Sequence, residues 1–135
     1  LNGKKKGKVI GITFDDGYQN NLLNAAPILK KYNFSATCYI VTEKIGLSNV
    51  WDSNKGITQR PLMNYREIRE WLDIGMDIGS HSKSHSDLVK LSGEQLKIEI
   101  TQSKTNLEDI FDLAIEDFCY PFGSETTSKR PSKIE

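Results

Sequence analysis

The sequence is short of the residues that most directly reveal a function. It holds only two histidines and two cysteines in 135 residues, and its 18 basic side chains are balanced by 18 acidic ones. Because a chain without net charge does not attract nucleic acid electrostatically, no nucleic-acid partner is expected. The apolar runs are far shorter than the ~20 residues that cross a bilayer, so no membrane span is expected either.

The two cysteines indicate neither a redox motif nor a disulfide. Cys38 and Cys119 lie far apart in the chain, and no C-x-x-C spacing is present. Both occur in apolar runs, where a free cysteine is expected to act as a small buried hydrophobe.

Strand and helix patterns alternate along the chain. Short apolar runs predict strands at 9–14, 35–42, 76–80 and 114–121, and the first of them is expected to be buried. Helices are predicted between them: from Asn20 or Asn21 with a kink or an early second start at Pro27, from Asn64 to Gly75, and from Ser92 to about Phe111. This alternation is typical of a parallel sheet built of βα units. We therefore predict one α/β domain over residues 1–135 with about four parallel strands and three helices.

Three chemically unusual clusters follow predicted strands. Asp15 and Asp16 follow the first strand, His81 and His85 follow the third, and the segment 121–123 (Pro-Phe-Gly) follows the fourth. Parallel α/β folds place their chemistry at the carboxyl ends of the strands. The clusters are therefore predicted to meet at one edge of the sheet.

The two histidines are four positions apart, in the segment HSKSH. In a strand they would be about 13 Å apart, which is too far to share an ion. On a helical turn they would share one face with Cβ atoms about 5–6 Å apart, which suits two imidazoles on one metal. The competing interpretation is a pair of exposed or capping histidines, and the spacing alone does not decide between the two.

The paired aspartates have a similar ambiguity, because Asp-Asp-Gly alone is typical of an ordinary turn. Next to the histidines, one carboxylate could complete a His-His-Asp metal site while the other takes a proton from water. A divalent ion would also relieve the repulsion between the two charges.

The segments TFDDG, HSKSH and YPFG, in this order, resemble the polysaccharide deacetylases of carbohydrate esterase family four, the nodulation-factor chitooligosaccharide deacetylase homologues. The resemblance covers residues 8 to about 124. It implies a distorted (β/α) barrel, of which this chain would hold the N-terminal portion, followed by a polar tail at 124–135. It also favours an extracellular or cell-envelope location.

The resemblance implies a different role for each aspartate. Asp15 would be the general base, and Asp16 would bind one divalent metal together with His81 and His85, with zinc as the first expectation. Water on that metal would attack the carbonyl of an acetyl group. The implied enzyme is a hydrolase of carbon–nitrogen bonds other than peptide bonds, and its substrate is an acetylated polysaccharide or amino-sugar oligomer.

The resemblance also assigns the segment after the fourth strand. Tyr120, Pro121 and Phe122 would form one wall of the substrate groove, and the N–H of Phe122 would help to stabilise the oxyanion. Without the resemblance these residues would be a plain exit from a strand. Trp51, in a long polar loop at 46–61, is expected to anchor that loop, with stacking on a sugar ring as the alternative.

The chain departs from the family pattern in two places. Cys119 stands where many members have an arginine that braces the base aspartate. The family's Leu-x-His, which supplies the general acid, is absent, and both histidines are already assigned to metal. Three functions therefore stay open: N-acetyl hydrolysis, O-acetyl ester hydrolysis, and a catalytically inactive metal- or carbohydrate-binding remnant. Unpaired strands would also favour self-association through an open sheet edge.

Overall fold

The fold is built on a small parallel sheet. A computed structural model describes residues 9–122, and the structural statements below refer to those residues. The sheet has three strands in sequential order: β1 (Thr13–Phe14), β2 (Thr37–Ile40) and β3 (Asp77–Ser80). Neighbouring strands are parallel, because the helical connections return the chain to the same end of the sheet each time. The predicted α/β class with a parallel sheet is confirmed.

Helical segments fill the connections between the strands. The α-helices are α1 (Ala26–Lys31), α2 (Tyr65–Asp73) and α3 (Gly93–Phe111). Shorter elements are a π-helical turn at Asn21–Ala25 and 3₁₀ turns at Thr42–Lys44, Val50–Lys55 and Leu88–Lys90. Within the described part of the chain, no helix combines the length and the apolarity needed to cross a membrane.

Helices α2 and α3 begin at the positions that were predicted from their capping residues. The Asn64 side chain accepts hydrogen bonds from the N–H groups of Arg66 and Glu67, and the Glu67 carboxylate accepts one from the Asn64 N–H. Ser92 and Gln95 form the same reciprocal capping box at the start of α3. Because these bonds satisfy N–H groups that have no partner within the helix, the local sequence alone determines where α2 and α3 begin.

The first predicted helix is confirmed, but its cap is not. The chain starts as the π-helical turn and restarts as α1 with Pro27 in its first turn, where the missing proline N–H leaves no hydrogen bond unmade. This is the second start that Pro27 predicted. Asn20 occupies the cap position, but its side chain makes no capping hydrogen bond.

The first predicted strand is much shorter than the apolar run that predicted it. Of residues 9–14, only Thr13 and Phe14 form β1, and the run was wrongly predicted to be buried throughout. Val9 is 78% exposed and Ile10 is 77% exposed. In the described chain β1 pairs only with β2, so its outer edge has no strand partner.

The fourth predicted strand is reduced to a single bridge. Phe118 pairs in parallel with Ser80 of β3, supported by hydrogen bonds from Ser80 N to Asp117 O and from Cys119 N to Ser80 O. The predicted position and direction are therefore right, but the extent over 114–121 is wrong. A strand with a neighbour on one side only loses half of the pairing that would extend it.

The core lies between the sheet and the helices. Trp71 of α2 is fully buried, its indole N–H donates to the Asp77 carbonyl at 2.8 Å, and the ring of Phe14 meets it edge-on with centroids 5.9 Å apart. Such packing fixes α2 against β1 and β3. The other buried members of the cluster are Leu22, Ala26, Leu29, Ala36, Cys38, Ile40, Ile45, Met63, Ile68, Met76, Ile78, Leu107, Phe111 and Ile115.

Candidate metal centre

The strand ends bring the predicted clusters together. Asp15 and Asp16 follow β1 directly, His81 follows β3, and Cys119 follows the bridge at Phe118. Since β1, β2 and β3 are parallel, these residues leave the sheet at the same edge. The sequence predicted that these clusters would meet at one edge of the sheet, and the structure brings them to one edge.

Asp16 and the two histidines converge on one point. The Asp16 Oδ1 atom is 3.3 Å from His81 Nε2 and 3.1 Å from His85 Nε2. All three potential ligand atoms lie within 4.8 Å of one another. A tetrahedral zinc ion bound at about 2.0–2.1 Å separates its nitrogen and oxygen ligands by about 3.3 Å, so these residues fit such an ion with little movement.

His81 is oriented by the bridged segment. Its side chain is only 1% exposed, and its Nδ1 lies 3.0 Å from the Cys119 carbonyl oxygen. A carbonyl only accepts hydrogen bonds, so the Nδ1 atom must carry the proton and donate it. The Nε2 atom, which faces Asp16, is then the ring nitrogen available to a metal ion.

His85 is held by packing and by its backbone. Its ring is stacked on that of Trp51, with centroids 4.1 Å apart, and meets the edge of the Phe122 ring at 4.9 Å. Its backbone N–H donates to the Ser82 hydroxyl at 3.1 Å. The buried Nδ1 atom has no hydrogen-bond partner within residues 9–122.

The segment between the histidines differs from the expected helical turn. Ser82 and His85 both have left-handed backbones, with φ of 64° and 65°. The two rings nevertheless come to 5.2 Å between centroids. Their predicted proximity is therefore right, but the helical geometry is wrong, because two left-handed residues reverse the chain where a helix would have continued it.

The surroundings of Asp16 favour the ionised, negatively charged form of its carboxylate. Burial alone would raise the pKa of Asp16, but hydrogen bonds and charge from His81 and His85 outweigh it and hold the pKa well below the usual range. Asp16 itself has φ of 71°, and Gly17 follows at 78°. A Cβ on Gly17 would also approach Ile40 Cδ1 to 3.1 Å, so glycine suits this turn both sterically and conformationally.

Asp15 points to a different neighbour. It is exposed, and its Oδ1 atom accepts a weak hydrogen bond from the Cys119 thiol at 3.7 Å. Burial, followed by the negative charge of Asp15, raises the pKa of Cys119 to about 11, which keeps the thiol protonated as a donor. Cys119 is half-buried and free, so it is not the fully buried hydrophobe expected, whereas Cys38 is.

The predicted groove wall is only partly at the centre. The Phe122 ring touches His85, and Lys55 Nζ lies 5.5 Å from the centroid of the same ring. Tyr120 is 51% exposed and packs edge-on against Phe118 instead. Pro121, which lies between Tyr120 and Phe122 in the sequence, is half-buried. The aromatic rings that contact His85 are thus those of Phe122 and Trp51.

Two residues near the centre were not predicted from the sequence. Tyr18 lies near Asp16, and burial, followed by the negative charge of that carboxylate, raises the pKa of Tyr18 to about 12. Glu99 of α3 hydrogen-bonds the segment between the histidines. Tyr18 follows the Asp-Asp-Gly segment directly and could have been considered, whereas nothing in the local sequence distinguishes Glu99 from other helix-surface glutamates.

Comparison with known proteins identifies the family of this arrangement. The family model described as "Polysaccharide deacetylase" matches residues 2–133. The chain belongs to the polysaccharide deacetylase family. The segments TFDDG, HSKSH and YPFG resembled this same family. Its members are therefore the proteins with which this site is compared.

Individual relatives agree with the assignment. The chain is 30% identical to YxkH of Bacillus subtilis, provisionally named a polysaccharide deacetylase, over 96% of this chain and 43% of that protein. It is 29% identical to the poly-β-1,6-N-acetyl-D-glucosamine N-deacetylase of Staphylococcus aureus, over 95% and 46%. The solved Streptococcus pyogenes deacetylase PplD, in complex with acetate, is 27% identical with a TM-score of 0.71, over 94% and 51%. The chain thus spans about half the length of these relatives.

Proposed function

We propose that this chain contributes the metal-binding part of a deacetylase acting on an N-acetylated polysaccharide or amino-sugar oligomer. The observation that carries the proposal is the convergence of His81 Nε2 and His85 Nε2 on one Asp16 oxygen, at 3.3 and 3.1 Å. The donated hydrogen bond from His81 Nδ1 to the Cys119 carbonyl supports it, since it leaves Nε2 available. Two neutral imidazoles and one carboxylate form a common zinc-ligand set.

The adjacent aspartates have separate tasks in this proposal. Asp16 holds the cation with the two histidines. Asp15, which is exposed and outside that triad, accepts a proton at its carboxylate as the general base. A divalent cation, zinc by preference, supplies Lewis acidity toward an acyl oxygen and toward water.

The remaining parts of the site bind and orient the substrate. Phe122 forms the wall beside His85, and its backbone N–H is proposed to donate to the developing oxyanion, with Tyr120 and Pro121 continuing the wall. The Cys119 thiol fixes the Asp15 carboxylate through a neutral hydrogen bond, which is weaker than an arginine would provide.

The substrate class follows from the relatives and is part of the proposal. One relative is named for removing the N-acetyl group of a β-1,6-linked glucosamine polymer, and another was solved with acetate, the product of deacetylation. We infer an amide substrate of that kind and, because such polymers are large, action at the cell envelope or outside the cell. Self-association through the exposed edge beside β1 is a further expectation.

A catalytically inactive metal- or carbohydrate-binding domain is the second candidate. It would apply if no acid for the leaving amine reaches this site, because both histidines of this chain point to Asp16 and neither is available for that step. A positioned acid contributes roughly 10²–10⁴ in rate. Ester hydrolysis, whose leaving group needs less protonation, lies between the two candidates.

The decisive experiment separates metal binding from turnover. Purified wild-type chain should carry about one equivalent of a divalent metal by mass spectrometry. Asp16→Asn should lose that metal, whereas Asp15→Asn should retain it but release no acetate from an N-acetylated oligosaccharide. Unchanged metal content in Asp16→Asn would refute the ligand assignment. Equal acetate release by Asp15→Asn and wild type would favour the inactive domain.

A further inference from the structure

The segment that carries both histidines makes contacts beyond those among Asp16, His81 and His85. We define residues 81–85 as the histidine turn. The backbone N–H groups of Lys83 and Ser84 both donate to Glu99 Oε2, at 3.0 and 2.9 Å. The Ser84 hydroxyl donates to the other oxygen, Oε1, at 2.6 Å. Glu99 lies on α3, and its carboxylate therefore fixes the middle of the histidine turn to a long helix.

The opposite side of the histidine turn is anchored on the segment after β2. The Thr42 N–H donates to the Ser82 carbonyl at 3.4 Å, and the Glu43 N–H donates to the Lys83 carbonyl at 2.9 Å. The Lys83 ammonium pairs with the Glu43 carboxylate at 3.3 Å. The Ser82 and Lys83 carbonyl groups thus face the segment after β2, while the N–H groups of Lys83 and Ser84 face Glu99. Together these contacts determine the path of the backbone between the two ligands.

This path is one that the residues would not adopt by themselves. Ser82 and His85 lie in the left-handed region, which is unfavourable for residues with a Cβ. Successive N–H groups in such a turn form a concave anion-binding surface, and a carboxylate is the ligand that such a surface selects. Because charge-assisted hydrogen bonds are stronger than neutral ones, Glu99 is well suited to hold the strained turn.

We propose that Glu99 is a positioning residue for the metal centre. Its carboxylate holds the histidine turn in the conformation that brings His85 Nε2 to 3.1 Å from Asp16. Among the described residues Glu99 makes no hydrogen bond or ion pair with His81 or His85 and belongs to neither group of potential ligands; it acts through the backbone of Lys83 and Ser84. The inference rests on the proposed metal site, and it adds a residue from α3 that lies outside the three family segments.

Cobalt binding to the whole chain is the direct test. Co²⁺ gives visible absorption bands that report coordination geometry, and its affinity can be measured by competition with a chelator. Glu99→Ala should weaken Co²⁺ binding by about 10- to 100-fold and change the bands. Glu99→Gln keeps one accepting oxygen and should lose less. The matched control is Glu94→Ala, an exposed glutamate in the first turn of the same helix, which should bind as wild type.

A second measurement tests the clamp without metal. In metal-free protein, hydrogen exchange at the Lys83 and Ser84 amides should be slow in wild type and fast in Glu99→Ala. A folded Glu99→Ala variant with wild-type cobalt affinity and bands would overturn the inference. If Glu99→Ala does not fold, Glu99→Gln and Ser84→Ala decide it, and wild-type cobalt binding in both would overturn it.

The failure of the proposed function gives a different pattern. A wild-type chain that binds no Co²⁺ refutes the metal site. In that case hydrogen exchange alone tests the role of Glu99. Faster exchange at the amides of residues 83 and 84 in Glu99→Ala, but not in Glu94→Ala, would support the inference that Glu99 holds the histidine turn. Unchanged exchange in Glu99→Ala would overturn it.

Discussion

His81 and His85 reach the same Asp16 oxygen but are held in position in opposite ways. His81 follows β3 and donates from Nδ1 to the carbonyl of Cys119 on the neighbouring segment. His85 has no hydrogen-bond partner for its Nδ1 within residues 9–122 and depends on Trp51, Phe122 and the strained histidine turn. One proposed ligand, His81, is therefore oriented by the sheet, and the other, His85, is oriented by loops. Removing each support in turn tests this contrast.

The largest effect is expected from removing the ligands themselves. His81→Ala and His85→Ala should each abolish metal binding, but they should differ in the stability of the metal-free chain. His81→Ala leaves the Cys119 carbonyl without its donor and opens a buried cavity, so unfolding free energy should fall by about 2–4 kcal/mol. His85→Ala loses mainly ring packing and should cost about 1 kcal/mol.

Chemical denaturation in the presence of a chelator measures both variants, and metal content by mass spectrometry provides the parallel readout. Equal losses of stability would show that the Cys119 contact does not distinguish the two histidines. A metal-loaded His81→Ala protein would remove His81 from the ligand set altogether.

The parts of this site that could be predicted from sequence are those that depend on local patterns. The capping residues Asn64 and Ser92 mark the helix starts, and strand ends at Asp15 and His81 follow from apolar runs and their turn signals. In a parallel sheet these local facts are enough to bring the clusters to one edge. The meeting of the aspartate pair with the histidines could therefore be predicted from local patterns, whereas the choice of Asp16 over Asp15 came only from the family resemblance.

The rest depends on contacts between distant residues. The extents of β1 and of the fourth strand depend on which neighbours pair with them, and an apolar run such as 9–14 does not contain that information. The left-handed backbones at Ser82 and His85 carry no glycine to signal them. Glu99 meets the turn across 15 and 16 positions of sequence, and its helical pattern is that of any surface residue.

A substitution at Gly79 should disturb the position of His81 without disturbing that of His85. A Cβ at this position in β3 would lie 2.6 Å from the Tyr39 ring and 3.0 Å from the Asp117 carbonyl oxygen. Gly79→Ala should therefore push the 117–119 segment away from β3 and draw the Cys119 carbonyl off His81. We expect a loss of about 1–3 kcal/mol in unfolding free energy, and metal affinity about tenfold weaker.

Gly93 provides the matched control for this substitution. It begins α3, and a Cβ there has no neighbour within 4 Å, so Gly93→Ala should change neither quantity appreciably. Wild-type metal affinity in Gly79→Ala, together with reduced stability, would mean that the 117–119 segment does not orient His81.

The shared carboxylate gives a pH dependence that concerns both histidines. The folded-state pKa of Asp16 is lowered from 3.8, so its stabilisation is fully present above that unfolded-state value and is lost as pH falls toward the folded-state pKa. In the metal-free chain, wild type should exceed Asp16→Asn by about 1–2 kcal/mol at pH 6, with the difference shrinking between pH 4 and 2. Urea unfolding at several pH values measures it, and a difference independent of pH would contradict the lowered pKa.

The smallest effect is expected from substitutions of Trp51. Its ring stacks on that of His85, with 4.1 Å between the ring centroids and 14° between the ring planes. Stacked aromatic pairs contribute about 0.5–1.5 kcal/mol, so Trp51→Ala should weaken metal binding about two- to tenfold, while Trp51→Phe, which keeps a ring, should remain closer to wild type. The alternative role of Trp51, a platform for a sugar ring, predicts the opposite pattern. In that case Trp51→Ala would leave metal affinity unchanged and weaken the binding of chitooligosaccharides to the metal-free chain. His85 covers only one of the two faces of the indole, so the two measurements test the two roles of Trp51 independently.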